Sequence, residues 1–257
     1  MAAARIYVPR ETSAVSVGAD DVAVEIARVA KHSGTEIELV RNGSWGASWL
    51  EPLVEVEVDG VRIAYGNVGP RDVAGMFADG FVEGGEHARR LGPIQEIPYL
   101  IEQDRWTLFR CGLIDPLSVR NYRAAQGFNA LEKAFADGPE AVLAAVVESG
   151  LRGRGGAGFP TGRKWESRAN MEGTTKYVIC NADEGDPGAF MDRLVLEGDP
   201  HRVLEGLAIA AYAIGASRGF LYIRAEYPLA VRHVRQAVRD AEARGLLGTR
   251  MFDSRFS

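Results

Sequence analysis

Gly150-Leu151-Arg152-Gly153-Arg154-Gly155-Gly156-Ala157-Gly158-Phe159-Pro160-Thr161-Gly162-Arg163-Lys164-Trp165 decides how the rest of the chain is read. Gly153, Gly155 and Gly158 match G-x-G-x-x-G, a dinucleotide fingerprint that works only when a strand leads into it and a helix leaves it. Here the preceding segment is helical: Pro139 stands at the first helical position, and Val142, Leu143, Val146 and Val147 recur at helical spacing. A helix before the loop excludes a Rossmann site. A P-loop is excluded too, because Arg163 separates Gly162 from Lys164 and Trp165 stands where Ser or Thr would meet magnesium. Consecutive glycines nevertheless let main-chain N–H groups close on an anion. Arg152, Arg154, Arg163 and Lys164 surround them with positive charge, and Phe159 adds an aromatic ring. The set suits a phosphate attached to a flat ring; the alternative is a surface loop with scattered arginines.

Downstream lies Tyr177-Val178-Ile179-Cys180, an apolar strand, followed by Asn181-Ala182-Asp183-Glu184-Gly185-Asp186-Pro187-Gly188-Ala189-Phe190-Met191-Asp192-Arg193. Ligands of open α/β sheets bind beyond the C-terminal ends of strands. Asn181, Asp183, Glu184 and Asp186 supply acceptors there for hydroxyl and ring N–H groups. Hard cations also take oxygen ligands, but these oxygens lack EF-hand spacing and no histidine stands near them. A solvated acidic turn is the plain alternative. Taken together, a cationic glycine loop and an acidic loop read as two ends of one nucleotide-like pocket.

The flanking chain reads as α/β with a mostly parallel sheet, because strands alternate with helices. In the first eighty residues, Ile6-Tyr7-Val8 is a strand and Asp20 caps a helix carrying Val22, Ile26, Val29 and Ala30 that ends near Ser33-Gly34. Thr35 to Val40 alternates as a half-buried strand. Val54 to Val58 and Val61 to Tyr65 flank Asp59-Gly60, a dipeptide suited to a type I′ hairpin turn. Pro70 opens a short helix to Ala78. Glycines and charges without periodicity place a linker at 81–97 between a domain at 1–80 and a second at 98–257. The second begins with a helix from Tyr99 to Arg110 and another from Gly127 to Ala136. Asp199 and Pro200 then start a helix running to Ile214, Gly219 to Ile223 is a strand, and Pro228 begins a helix to about Arg244. Thr249 to Ser257 reads as the start of a further strand or loop, as in a fragment of a longer polypeptide.

Composition narrows the class. The 257 residues carry 30 basic and 35 acidic side chains, a net charge of −5, and 46% apolar residues. That excludes a disordered chain and a dominantly basic nucleic-acid binder. The longest apolar run, Leu207 to Ala216, is about half the ~20 residues a membrane helix needs. No apolar segment follows Met1-Ala2-Ala3-Ala4-Arg5, so no signal peptide is read and a cytoplasmic protein is expected. Cys111 and Cys180 form neither a disulfide framework nor a metal spacing and read as small buried groups. Asp199 reads as a helix N-cap and His201 as a first-turn polar residue, without a catalytic role.

The two loops, GLRGRGGAGFPTGRKW at 150–165 and YVICNADEGDPGAFMDR at 177–193, resemble the FMN- and NADH-binding subunit of respiratory complex I. They are similar as well to the diaphorase subunits of NAD-reducing hydrogenases and of molybdenum- or tungsten-dependent formate dehydrogenases. The resemblance runs from about Pro98 to the end. It implies an FMN-binding, complex I flavoprotein-like domain in which Gly153, Arg154, Gly155 and Lys164 hold the flavin phosphate and ring edge. Asn181, Asp183 and Glu184 would lie on the ribityl and flavin side, with Glu184 tuning the flavin as the catalytic residue. Phe159 would stack on the NADH dinucleotide and Asp186 would face it, Asp186 standing where the complex I branch has Glu. Ser167 replaces a phenylalanine of the complex I relatives, on one side of the adenine clamp. The family's further Glu-Glu motif and its four-cysteine [4Fe–4S] motif are expected only in a missing C-terminal part.

The N-terminal unit resembles the thioredoxin-like [2Fe–2S] domain of the same enzymes. Its cluster cysteines are absent from Pro9 to Ala14 and from Arg41 to Trp45, where they would lie, and these side chains cannot replace thiolates. A cluster-free docking domain is therefore expected, with Trp45 and Trp49 packed in its core or set against a partner. A cluster-free unit joined to this flavin segment is the arrangement of formate dehydrogenase β subunits. That implies a molybdenum- or tungsten-containing catalytic subunit and a small [2Fe–2S] subunit as partners, with electrons passing between NAD(H), FMN and iron–sulfur clusters. The alternatives are a diaphorase of a bidirectional hydrogenase or of complex I, and a non-catalytic scaffold with a vestigial pocket.

Overall fold

A computed structural model describes residues 3–173, 175–254 and 256–257. Met1, Ala2, Thr174 and Arg255 lie outside the described residues. The chain divides into two compact units, one of residues 1–118 with 194–199, the other of 119–193 with 200–257.

The first unit is built on a five-stranded sheet among the described residues: β1 (Ala4–Tyr7), β2 (Ile37–Val40), β3 (Val54–Val58), β4 (Val61–Tyr65) and β5 (Arg90–Pro93), in the order β2-β1-β3-β4-β5. Its helices are α1 (Thr12–Ser16), α2 (Ala19–Ser33), α3 (Val73–Ala78) and α4 (Pro98–Ile101). β1 pairs parallel with β2 across α2, whereas β1–β3, β3–β4 and β4–β5 are antiparallel. The sheet is thus mixed, which corrects the mostly parallel sheet expected from alternation. A hairpin needs only a two-residue turn, and Asp59 and Gly60, at φ 50° and 77°, supply the positive φ angles that a type I′ turn demands. Ile6, Val54, Val56 and Ile63 cover one sheet face and meet Val22 and Ile26 of α2 and Met76 of α3. The first of these helices starts at Gly18, in left-handed conformation, and not at Asp20, whose carboxylate takes Nη2 of Arg41 at 2.5 Å.

Two further readings are corrected here. The segment 81–97 is no linker: Phe81 and Ile94 are buried, and β5 closes the sheet against β4. Its strand and turns are too short to show periodicity. The expected helix from Tyr99 to Arg110 stops at Ile101, with Glu102 as its C-cap, and side chains rather than helical bonds fix the chain that follows. Arg105 donates to the carbonyls of Trp45, Leu108 and Cys111 at 2.6, 3.1 and 3.2 Å. Asn42 and Arg62 both donate to Gly112 O at 2.8 Å, and Arg62 also to Leu113 O at 2.6 Å.

Of the two stretches without cluster cysteines, the first holds a buried carboxylate and the second holds donors to two more. Glu11 accepts the N–H groups of Ser13 and Ala14 at 3.0 and 2.9 Å. Trp45 Nε1 donates to Glu55 at 2.7 Å, and Ser44 Oγ to Glu51 at 2.7 Å. Of the two tryptophans, Trp45 packs inside, whereas Trp49 is exposed and meets Tyr99 edge to face.

The second unit surrounds a two-stranded parallel sheet, β6 (Tyr177–Ala182) with β7 (Arg218–Ile223), the strands seen among its described residues. Its helices are α5 (Val119–Ala124), α6 (Asn129–Asp137), α7 (Pro139–Glu148), α8 (Thr161–Ala169), α9 (Met191–Gly198), α10 (Pro200–Ile214) and α11 (Pro228–Glu242). Residues of α9 from Leu194 onward count with the first unit. The apolar stripe of α10, with Leu204, Ala208, Ala211 and Ile214, is buried. Trp165 of α8 and Val178 of β6 pack on that stripe. Glu205, buried on α10, accepts the N–H groups of Phe128 and Leu131 at 2.9 and 3.1 Å and so satisfies the start of α6. It also accepts the hydroxyl of Tyr122, and His201 is buried beside Tyr122 and Phe128. The segment 249–257 contains a 3-10 turn, Met251–Asp253, in place of the expected strand or loop. No helix among the described residues is long and apolar enough to cross a membrane.

Candidate functional site

The glycine loop joins α7 to α8, so the helix predicted before it is present and the rejection of a Rossmann turn stands on structure as well. It closes on itself. Gly153 N–H donates to Phe159 O at 2.9 Å, Thr161 N–H to Leu151 O at 2.8 Å, and Arg152 Nη1 to Gly158 O at 3.0 Å. These bonds tie residues 151–161 into a loop whose tip, Arg154-Gly155-Gly156, stays exposed. Gly156 has φ 97°, where a side chain would be strained. At the far end Gly162 serves packing: a Cβ there would lie 2.6 Å from Val147 Cγ2 and 2.7 Å from Val147 Cα. Its missing side chain lets α8 approach α7.

The acidic loop leaves the C-terminal end of β6. Asn181 Oδ1 accepts the Asp183 N–H at 3.1 Å, turning the chain out of the strand. Glu184 follows at φ 47°, a left-handed conformation for a residue with a side chain. Its carboxylate accepts two main-chain donors at the start of α9: Asp192 N–H at 2.7 Å and Arg193 N–H at 3.2 Å. The carbonyl oxygen of Glu184 accepts Nη1 of Arg224 at 2.9 Å, just beyond β7. Further along, Ala189 O accepts the Tyr227 hydroxyl at 3.2 Å. Burial and the Glu184 charge push the Asp192 carboxyl above its ordinary range. Burial, and then Asp192, push the Cys180 thiol up.

The two loops face one another across a cleft of about 760 Å³, within the roughly 300–1,000 Å³ of small-molecule sites. Arg154, Gly155, Asn181, Asp183, Glu184 and Asp186 line it, so six of the residues singled out in the sequence are brought together. Gly153, Phe159 and Lys164 do not line it. Gly153 lies at the base of the loop, Phe159 is 53% exposed, and Lys164 is exposed on the first turn of α8. Gly156, Gly188, Phe190, Met191 and Asp192 also line the cleft. Sequence reading gave none of them a role of its own, and the two glycines of loop composition were the only signal. It missed Arg224 and Tyr227 too, since nothing local ties an arginine forty residues downstream to the Glu184 carbonyl.

The lining fits an aromatic mononucleotide. A cation and bare main chain, at Arg154-Gly155-Gly156, stand at one side for a phosphate. Amide and carboxylate oxygens, at Asn181, Asp183 and Asp186, stand at the other for hydroxyls. The cleft also lies beyond the C-terminal ends of parallel strands.

Residues 146–256 match the family described as the Nuo51 FMN-binding domain. The NADP-reducing hydrogenase subunit HndC of Solidesulfovibrio fructosivorans is 56% identical over 146 residues, covering 57% of this chain and 30% of that protein. A subunit of the NADH-quinone oxidoreductase of Rhizobium meliloti is 50% identical over 137 residues, 53% of this chain and 32% of that protein. The family match and the NADH-quinone oxidoreductase relative support FMN and NAD(H) as the cofactors expected from the sequence. A crystal structure of an NAD+-reducing [NiFe]-hydrogenase in its air-oxidized state aligns at a TM-score of 0.43 and 24% identity. That alignment covers 94% of this chain and 41% of the hydrogenase chain. The chain spans about a third of the length of each of these two relatives.

Proposed function

We propose that the chain is a flavin-bearing NAD(H) diaphorase module that passes electrons between NAD(H), FMN and the iron–sulfur clusters of a larger soluble, cytoplasmic enzyme. The observation that carries this reading is the cleft itself: the Arg154-Gly155-Gly156 tip facing Asn181, Asp183, Glu184 and Asp186, inside the segment matched by the FMN-binding family. When bound, FMN supplies the two-electron to one-electron conversion that no side chain can perform. Arg154 and the main chain of Gly155 and Gly156 hold its phosphate, and Lys164 adds positive charge from α8. Gly153 closes the loop base. Asn181 and Asp183 orient the ribityl hydroxyls, and Glu184 sets the charge beside the flavin. Phe159, exposed at the loop's return, stacks on the dinucleotide, and Asp186 takes one of its hydroxyls. The protein's task is to fix two flat rings at contact distance with solvent displaced.

The βαβ order of β1, α2 and β2, followed by the β3–β4 hairpin and α3, supports reading the N-terminal unit as thioredoxin-like, and the lack of cysteines at 9–14 and 41–45 supports reading it as cluster-free. That combination favours a formate-oxidising or CO2-reducing enzyme with a molybdenum- or tungsten-containing subunit and a small [2Fe–2S] subunit. The 56% identity to part of an NADP-reducing hydrogenase favours a hydrogenase partner instead. Purification of the intact complex, with flavin extraction and iron, nickel, molybdenum and tungsten counts, separates the two. Flavin released on extraction, with a flavin absorbance component that bleaches with NADH, is the expected result. A complex that releases no flavin would overturn the flavin reading in favour of a scaffold, and flavin retained by the Arg154→Ala plus Lys164→Ala variant would overturn the assigned residues.

A further inference from the structure

The turn after β7 holds a group of side chains that the flavin reading leaves without a task. Arg224 donates Nη1 to Glu184 O at 2.9 Å and Nη2 to Glu226 Oε1 at 2.9 Å. Its Nε is buried without a hydrogen-bond partner among the described residues. Three residues on, Tyr227 is buried, and its hydroxyl donates to Ala189 O at 3.2 Å. The guanidinium carbons of Arg224 and Arg193 lie 5.3 and 5.6 Å from the centre of its ring. Residues 184 and 189 both belong to the acidic stretch that lines the cleft, so one turn grips that stretch at two points. At the first of those grips, Glu184 keeps a left-handed backbone that L-residues adopt rarely, and its carboxylate is spent on the start of α9. The Arg224 bond holds that peptide from the carbonyl side against relaxing to an ordinary φ.

We propose that Arg224 and Tyr227 are positioning residues of the cleft: through Glu184 O and Ala189 O they hold loop 184–189 in the shape that presents Asp186 to the bound mononucleotide. This rests on the flavin reading given above. Glu226 acts one step further out, by fixing the plane of the Arg224 guanidinium.

The test uses the intact protein and its Arg224→Ala, Arg224→Lys and Tyr227→Phe variants, with FMN affinity by fluorescence titration and the visible circular dichroism of bound flavin. Losing one hydrogen bond to a charged donor is expected to raise the FMN dissociation constant roughly tenfold in Arg224→Ala, with an altered visible dichroism. Arg224→Lys, which keeps a donor near Glu184 O, should recover most of the affinity, a rescue that mere loss of packing would not show. Tyr227→Phe keeps the ring and should show a smaller loss. Wild-type affinity and dichroism in both Arg224→Ala and Tyr227→Phe would overturn the inference while the flavin reading stands. Failure of the wild-type protein to bind FMN would instead overturn the flavin reading. If Arg224→Ala does not fold, Tyr227→Phe with unchanged affinity and dichroism overturns the inference by itself.

Discussion

The carboxylate of Glu184 accepts the main-chain N–H of Asp192 at 2.7 Å, so a residue of the cleft wall is also the cap of the helix that follows. A carboxylate at a helix start satisfies donors that the helix leaves unpaired and faces the positive end of its dipole. The left-handed backbone at Glu184 is what aims the side chain back at α9.

Glu184→Ala is therefore expected to cost about 1 kcal/mol of stability as a lost cap and to weaken FMN binding in the same protein. Urea unfolding of the apo-protein and FMN titration measure the two effects. Unchanged values in both would contradict the dual role.

The contributions of Arg154 and Lys164 should differ, because Arg154 lines the cleft and Lys164 does not. Arg154→Ala alone is expected to weaken FMN roughly tenfold or more, as for a lost charge-assisted contact to phosphate. Lys164→Ala should lose several times less and be the more sensitive to added salt. Equal losses in the two single variants would place Lys164 at the phosphate as well.

Gly162→Ala would set a Cβ 2.7 Å from the Val147 Cα, a clash with main chain that no rotamer relieves. Overpacking of this kind costs about 1–3 kcal/mol. A lowered urea midpoint with an unchanged slope is the expected outcome, and a fully stable variant would show that α7 and α8 can separate without loss.

Glu51 gives a pH dependence. Burial pushes its carboxyl up to about 7, with Glu11 and Glu55 adding to the rise against the hydrogen bonds from Ser44 and Leu53. The folded state thus prefers the neutral acid. Its contribution is complete below the ordinary carboxylate range, declines as pH rises and is gone above about 7. The decline amounts to at most roughly 3 kcal/mol. Glu51→Gln should flatten the fall in melting temperature between pH 5 and pH 8 and raise stability most at pH 8. A variant equally destabilised at both pH values would show that Glu51 is held ionised.

Signals confined to one element were legible in the sequence. The hairpin of β3 and β4, the helices α7 and α10 and the strands β6 and β7 follow from alternation, helical spacing, Pro at N1 and the Asp59-Gly60 turn. So did the chemistry of the cleft, because glycines with arginines and an Asn-Asp-Glu-Asp run announce their ligand types wherever the chain carries them. Less legible was the segment 81–118, whose glycines and charges read as linker and whose tail read as helix. There Arg62 and Asn42, from elsewhere in the chain, donate to the Gly112 carbonyl, and Arg105 donates to that of Cys111, contacts that no local pattern announces.

By itself, the sequence determined the α/β class, the local elements and the presence of two oppositely charged loops, since these depend on neighbours within a few residues. Tertiary structure alone decided the strand order of the first unit's sheet, β2-β1-β3-β4-β5, and that Gly153, Phe159 and Lys164 stand outside the cleft lining. It also decided that α6 and α9 start on carboxylates other than their own N-cap side chains, Glu205 at Phe128 and Leu131, and Glu184 at Asp192. The reason is the same throughout: a buried backbone donor must find an acceptor, and which acceptor it finds depends on what the folded chain brings within reach, and not on what lies next to it in sequence.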